Sequence, residues 1–204
     1  MIHLPVEPGS AEWHKARLGI PTSSEFSRIF TPTGRPSKSA TSNKYACQLI
    51  AESMLGHPVS DYESDWMLRG KDLEERAVSY YELQTDRDTT SGGFCTTDDG
   101  KVGCSPDRLI GDDGGLEIKC PSEIIHVATL LGLEDVLVKH RLQVQGSLWV
   151  TGRSWWDFLS YHPDLPPALM RIERDEEFIA ALEKHVRAFC VGLEEMRERL
   201  MVAA

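Results

Sequence analysis

The run CSPDRLIGDDGGLEIKC, residues 104–120, places an aspartate, a glutamate and a lysine around a glycine-rich turn in otherwise apolar surroundings. Alternate side chains of an extended chain share a face, so Glu117 and Lys119 point one way while Leu116, Ile118 and Cys120 point the other. "GDDGG" is a hairpin signal, and a hairpin here lays Asp107 beside Glu117. Pro106 favours extended backbone just before that aspartate. Two readings compete. Charged residues on strands usually form a solvated face, and a D-x(9)-E-x-K match arises often by chance. Apolar residues flank all three, however, which predicts burial, and buried carboxylates side by side need a cation or protons. Asp107, Glu117 and the Ile118 carbonyl form an all-oxygen set suited to Mg²⁺ or Mn²⁺. Such an ion lowers the pKa of a bound water and neutralises a phosphodiester oxygen. A neighbouring lysine orients that water or stabilises charge as attack proceeds.

Outward from this stretch, 41% of the 204 residues are hydrophobic and 26% charged. That excludes a disordered or fibrous chain and predicts one domain over 1–204. No run approaches the roughly 20 apolar residues that span a bilayer, and "MIHLPVEPGSAEW" lacks the features of a secretion signal. The five cysteines (Cys47, Cys95, Cys104, Cys120 and Cys190) are odd in number and show no C-x-x-C spacing. Reduced core thiols and a cytoplasmic setting are expected, although Cys104 and Cys120 fall on the same hairpin. The formal charge of -10 opposes binding to phosphate. Its distribution softens that objection: residues 1–50 carry more Lys and Arg than acid, whereas 51–100 are strongly acidic. An acidic middle also suits a cation-binding site, so total charge does not decide the partner.

Helical signals precede this region. "SAEWHKARLG" reads as a short helix capped by Ser10 and ended by Gly19, and "TSSEFSRIF" as a helix start capped by Thr22 or Ser23. "TPTGRPSKSATS" (31–42) reads as a loop. "NKYACQLIAESMLG" reads as an amphipathic helix with Tyr45, Leu49, Ile50, Ser53 and Met54 on one face. "SDWMLRGKDLEERAVSYYELQT" reads as a longer helix burying Leu73, Ala77, Tyr80 and Tyr81. Residues 92–120 read as strand-turn-strand-turn-strand. "HRLQVQGSLWVTG" fits a helix or a strand, helix being favoured, and "SWWDFLSYHP" reads as a strand. From Asp175 a last helix puts Phe178, Leu182, Val186, Phe189, Leu193, Met196 and Leu200 on one face, with acids in its first turn. The whole is α/β, with helices flanking a central, antiparallel-leaning mixed sheet.

"SPD…LEIKCP" resembles the PD-(D/E)xK nuclease core, and specifically the phage lambda exonuclease family of YqaJ-type viral recombinases. Three further blocks carry the likeness: "EWHKARLGIPTSSEF", "RGKDLEERA" with its G-x-x-x-E spacing, and "LQVQGSLWVTG". "IERDEEF" also resembles the family's approach to its final helix. The resemblance implies a restriction-endonuclease-like fold and a Mg²⁺-dependent 5′-to-3′ exonuclease, with two ions and Mn²⁺ as a substitute. It would reduce one strand of linear duplex DNA to mononucleotides and leave a 3′ single strand for recombination. Asp107, Glu117 and the Ile118 carbonyl would ligate metal, Lys119 would position water, and Glu74 would complete the acidic cluster. Gln143 would stand by the water or the scissile phosphate. Arg17 and Ser24 would hold the DNA 5′-phosphate, a dianion that suits a guanidinium and a hydroxyl. Trp13, Arg35, Lys38 and Arg108 would be further DNA contacts. The family implies a homotrimeric ring, a single-strand annealing protein as partner, and phage or prophage origin in a bacterial cytoplasm.

The chain departs from the family at Arg108, where glycine is common, and at His140, where some members have tyrosine. Neither receives a catalytic role from sequence. Rival readings are another PD-(D/E)xK enzyme, such as an endonuclease, a non-catalytic DNA-binding recombination module, or an acidic interaction domain. Nicking of closed circular DNA distinguishes the first, and absence of metal-dependent hydrolysis the second. The third predicts no divalent ion at the hairpin.

Overall fold

The computed structural model describes residues 1–59 and 65–203, and side chains outside 60–72 and 203–204. In chain order the elements are β1 (Ile2–Leu4), α1 (Ala11–Arg17), a 3₁₀ turn (Ser23–Arg28), α2 (Ser39–Leu55) and α3 (Asp65–Thr85). Then come β2 (Thr89–Ser91), β3 (Phe94–Thr96), β4 (Gly103–Cys104), β5 (Arg108–Ile110) and β6 (Gly114–Lys119). α4 (Glu123–Leu130), α5 (Val136–Thr151), β7 (Trp155–Ser160), β8 (Ala168–Glu173) and α6 (Glu176–Ala203) complete the order. The Ser64 start expected for the long helix lies outside the described residues.

The strand-turn-strand series divides between two sheets. β3 and β4 join β1 in a three-stranded sheet, while the main sheet runs β2-β5-β6-β7-β8. Its pairs are antiparallel except β6 with β7, which are parallel and connected through α4 and α5. Such a parallel neighbour requires a long crossover, and this one delivers α5 to the face of the sheet that carries Glu117.

Helices cover both faces. On one, Ala77, Val78 and Tyr81 of α3 pack on Ile110, Leu116, Ile118 and Leu159. On the other, Val144 and Leu148 of α5 and Ile179 of α6 meet Leu109, Trp156 and Phe158. A third cluster joins Phe26, Phe30, Tyr45 and Leu49 to Cys95, Cys104 and the α6 residues Leu182, Val186 and Leu193. Fully burying one such side chain contributes about 1.5–3 kcal/mol, so α6 is held along most of its length.

Local chemistry fixes the helix ends. Ser10 caps α1 through Trp13 N–H, and Asp135 caps α5 through Val138 N–H. Asp175 accepts the Phe178 N–H at 3.0 Å and so starts α6. Several sequence expectations change. The residues read as a second helix start form a 3₁₀ turn whose Thr22 makes no side-chain cap bond. Ser39–Ser42 belong to α2 rather than to the preceding loop. Met54, Ser53 and Leu200 are exposed, because the ends of α2 and α6 run past the core. The strands β1, β2 and β8 and the helix α4 carry no sequence assignment; β1 and β2 are too short to show a period. Cys104 opposes Cys95 across β3 and β4 rather than approaching Cys120, and none of the five cysteines forms a disulfide.

Two close approaches set the spacing around β6 and α5. Gly114 and Gly115 are strand residues rather than part of the turn, which spans 111–113. A Cβ at Gly115 would stand 2.4 Å from the Trp156 ring. A Cβ at Gly146, in the middle of α5, would stand 2.6 Å from the Phe26 ring of the 3₁₀ turn.

Candidate active site

β6 presents Glu117 and Lys119 to α5. The β5–β6 register, continued one step beyond Arg108 opposite Leu116, sets Asp107 opposite Glu117. Asp107 Oδ2 accepts the Ile118 N–H at 2.6 Å. A strand residue directs its N–H and C=O to the same edge. The Ile118 carbonyl therefore also points toward Asp107, beyond the last β5–β6 pair. Glu117 is 1% exposed. Its Oε1 accepts from Lys119 Nζ at 2.5 Å and from Gln143 Nε2 at 2.6 Å, whereas its buried Oε2 has no hydrogen-bond partner.

The electrostatics follow from that burial. Desolvation pushes the Glu117 carboxyl up to about 7, with Asp107 and Glu74 adding to the shift and Lys119 opposing it. Burial likewise pushes Glu74 on α3 to about 7, Asp107 adding and Arg108 opposing. Asp107 is raised by burial, against Lys119, the Ile118 N–H and Arg108. Burial disfavours the Lys119 ammonium, yet Glu117 and Asp107 hold it above the usual lysine range. Three acids thus share one lysine, and their charge is incompletely balanced.

Among the described residues no three His, Cys, Asp or Glu side chains form a ready-made cation cage. Lys119 and Gln143 occupy one oxygen of Glu117, and Ile118 N–H occupies one of Asp107. The unpartnered Glu117 Oε2, the other Asp107 oxygen and the Ile118 carbonyl remain, a hard-oxygen set that fits a divalent ion. Glu74 reaches the cluster through its field rather than by a hydrogen bond to either acid.

The other sequence candidates are distributed around this centre. Trp13 Nε1 donates to Ser105 Oγ at 2.8 Å, and that hydroxyl donates to the Gly93 carbonyl at 2.7 Å. The Arg17 guanidinium lies 4.1 Å over the Trp13 ring and forms no ion pair among the described residues. Ser105 precedes Asp107 by two residues, so this stack is tied to the acid strand. Ser24 is exposed, meets the Thr22 hydroxyl at 3.4 Å and forms no hydrogen bond with Arg17. Arg35 and Lys38 are exposed on the segment before α2, and neither contacts the acids. Arg108 Nη2 bonds Glu75 at 2.5 Å and its charge opposes the shift on Glu74, which accounts for an arginine here. His140 lies 5.2 Å from the Phe158 ring, and burial first, then Lys119, presses its pKa down to about 4. Ser105 escaped sequence reading because only the fold brings Trp13 to it.

The mixed sheet, the helices on both faces and the Asp107, Glu117 and Lys119 set define a nuclease of the PD-(D/E)xK class. The model of the YqaJ-like viral recombinase domain matches residues 12–154, and the chain belongs to that family. It is similar to the alkaline exonuclease LHK-Exo of Laribacter hongkongensis, with 33% identity and a TM-score of 0.84 over 95% of this chain and 97% of that one. A structure of LHK-Exo in complex with dAMP matches at 34% identity and TM-score 0.83, over 94% of this chain and 96% of the other. A phage-related exonuclease from Haemophilus somnus 129PT shares the fold at 14% identity and TM-score 0.68, over 89% and 96% of the two chains. No curated protein sequence matches. Among the described residues no helix is long and apolar enough to cross a membrane.

Proposed function

We propose that this chain is a Mg²⁺-dependent 5′-to-3′ exonuclease acting on linear double-stranded DNA. It releases mononucleotides and leaves a 3′ single strand for recombination, as one nuclease domain over residues 1–204. The observation that carries the reading is Glu117: buried, held by Lys119 and Gln143, and left with one oxygen unpartnered. The likeness to LHK-Exo, an alkaline exonuclease also known in complex with dAMP, supports the activity and a mononucleotide product.

Asp107, Glu117 and the Ile118 carbonyl hold the ions, two by family likeness, with Mn²⁺ able to substitute. A bound divalent ion supplies Lewis acidity toward the phosphate and a lowered pKa for water. Lys119 positions the water, and its ammonium offsets charge that builds on the phosphate oxygens. Gln143 fixes the orientation of Glu117, while the Ile118 N–H fixes Asp107. Water adds to phosphorus, the P–O3′ bond breaks, and the departing 3′-oxygen gains a proton. Arg17, supported on Trp13, takes the 5′-phosphate with Ser24 at the edge of that pocket; Arg35, Lys38 and Arg108 lie along the DNA.

A homotrimeric ring explains how an acidic chain retains DNA, since topology replaces a basic surface. A single-strand annealing protein is the recombination partner, and the bacterial cytoplasm the site of action. Digestion of linear duplex labelled at either end, with and without Mg²⁺, tests the reading. Mononucleotides released from the 5′ label only with the ion are expected. Release from the 3′ end, or nicking of closed circles, would sink the assignment.

A further inference from the structure

A cavity of about 210 Å³ opens beside Lys119 on the β7 side of β6. Phe158 and Ser160 of β7, Lys139 and His140 of α5, and Ile125 of α4 form its walls. Parallel pairing sets Phe158 beside Glu117 and Ser160 beside Lys119. The cavity therefore adjoins the acid cluster at the carboxyl ends of two parallel strands, where α/β sheets receive ligands. Its character is mixed: aromatic and aliphatic residues line it together with Lys119 and Lys139, whose ammonium groups are engaged by Glu117 and Glu134. That combination suits one flat apolar group carried between phosphates.

We propose that this cavity seats the base of the nucleotide immediately 3′ of the scissile phosphate, by stacking and without reading its identity. The inference rests on the nuclease reading above and extends it to a subsite. Sheet order sets the direction. The Arg17–Trp13–Ser105 stack joins the chain just before β5, on one side of β6, and the cavity lies toward β7 on the other. A strand whose 5′-phosphate is held at Arg17 and whose scissile phosphate is held at Glu117 and Lys119 delivers its next base to the cavity. Indifference to sequence follows from the walls. The Ser160 hydroxyl is engaged by His126 Nδ1 at 2.8 Å, and the Thr129 hydroxyl donates to the Ile125 carbonyl at 2.9 Å. Those wall hydroxyls are already engaged, whereas the half-buried His140 ring, backed by the almost fully buried Phe158 at 5.2 Å, offers a face to any base. His140 remains uncharged in neutral solution, because burial presses its pKa down to about 4. An enzyme that removes every nucleotide in turn needs such a subsite.

The test uses 5′-phosphorylated linear duplexes with an abasic tetrahydrofuran at the first, second or third position of the digested strand, and reads the first cleavage under single turnover. For the wild-type protein we expect about a tenfold loss at the second position, the scale of one lost base–aromatic stack, and little change at the other two. His140→Ala should cut intact DNA more slowly and lose the second-position penalty, and Ile125→Ala, on an exposed helix face, should reduce the penalty without a risk to folding. No penalty at the second position, a penalty at the first instead, or a full penalty in both variants would overturn the cavity's assignment while leaving the nuclease reading intact. Failure of the wild-type protein to cut any substrate would overturn both.

Discussion

At the scale of the residue, Glu117 is under strong electrostatic pressure, being almost fully buried and pushed up to about 7 even with Lys119 in contact. Its charge is useful to a cation and unfavourable to the fold without one. Glu117→Gln keeps the size and removes the charge. Hydrolysis should fall by about 10²–10³-fold or more, on the scale of losing one transition-state contact. The metal-free protein should melt no lower at pH 8 and gain on the order of 1 kcal/mol. A variant with ordinary activity would show that the carboxylate has no catalytic part. The pH dependence has a definite sign. Glu117 and Glu74 rise from 4.5 to about 7 in the folded chain, so the native state keeps protons that the unfolded state has already released. Their contribution is complete below the lower value and is lost as pH rises through about 7. Added Mg²⁺ competes with those protons, so it should raise the melting temperature at pH 8 and leave it nearly unchanged at pH 5.5. Equal ion-induced shifts at both values would contradict this account.

At the scale of the element, α1 is a short helix whose value lies in its attachments. Ser10 caps it, Trp13 anchors it to Ser105, and the anchored ring supports Arg17. Arg17→Ala should therefore narrow the preference for 5′-phosphorylated over 5′-hydroxyl ends, by about tenfold for one charge-assisted contact. Competition between the two ends in a single digestion measures it, and an unchanged ratio would remove Arg17 from the phosphate pocket. The same elements explain how much could be read from sequence. Alternation along residues 116–120 placed Glu117 and Lys119 on one face, and helical spacing located α6, whereas the apolar run of α5 fitted a strand as well as a helix. Strands as short as β1 and β2 carry no period to detect. The pairing of β6 with β7 is also invisible locally, because 35 residues separate Lys119 from Trp155. That pairing brings Phe158 and Ser160 beside Glu117 and Lys119, and the crossover through α5 adds His140. His140 stood out in the sequence only as a departure from the family.

At the scale of the whole molecule, the formal charge of -10 must be reconciled with a polyanionic substrate. A closed assembly threaded by DNA needs few cations on each chain. Light scattering of the purified protein should give three times the 22.9 kDa chain mass, and a monomer still able to digest long duplex processively would count against the ring. Inside the chain, the join between the N-terminal block and α5 is equally consequential. Gly146 lets the Phe26 ring approach α5 one turn beyond Gln143. The N-terminal block and α5 are thus gauged by the thickness of a methyl group. Phe26 and Gly146 form a matched lock whose halves are inherited together: enlarging one makes shrinking the other the natural repair. A shuffled gene that took its front from one relative and α5 from another would inherit that mismatch before any difference in chemistry.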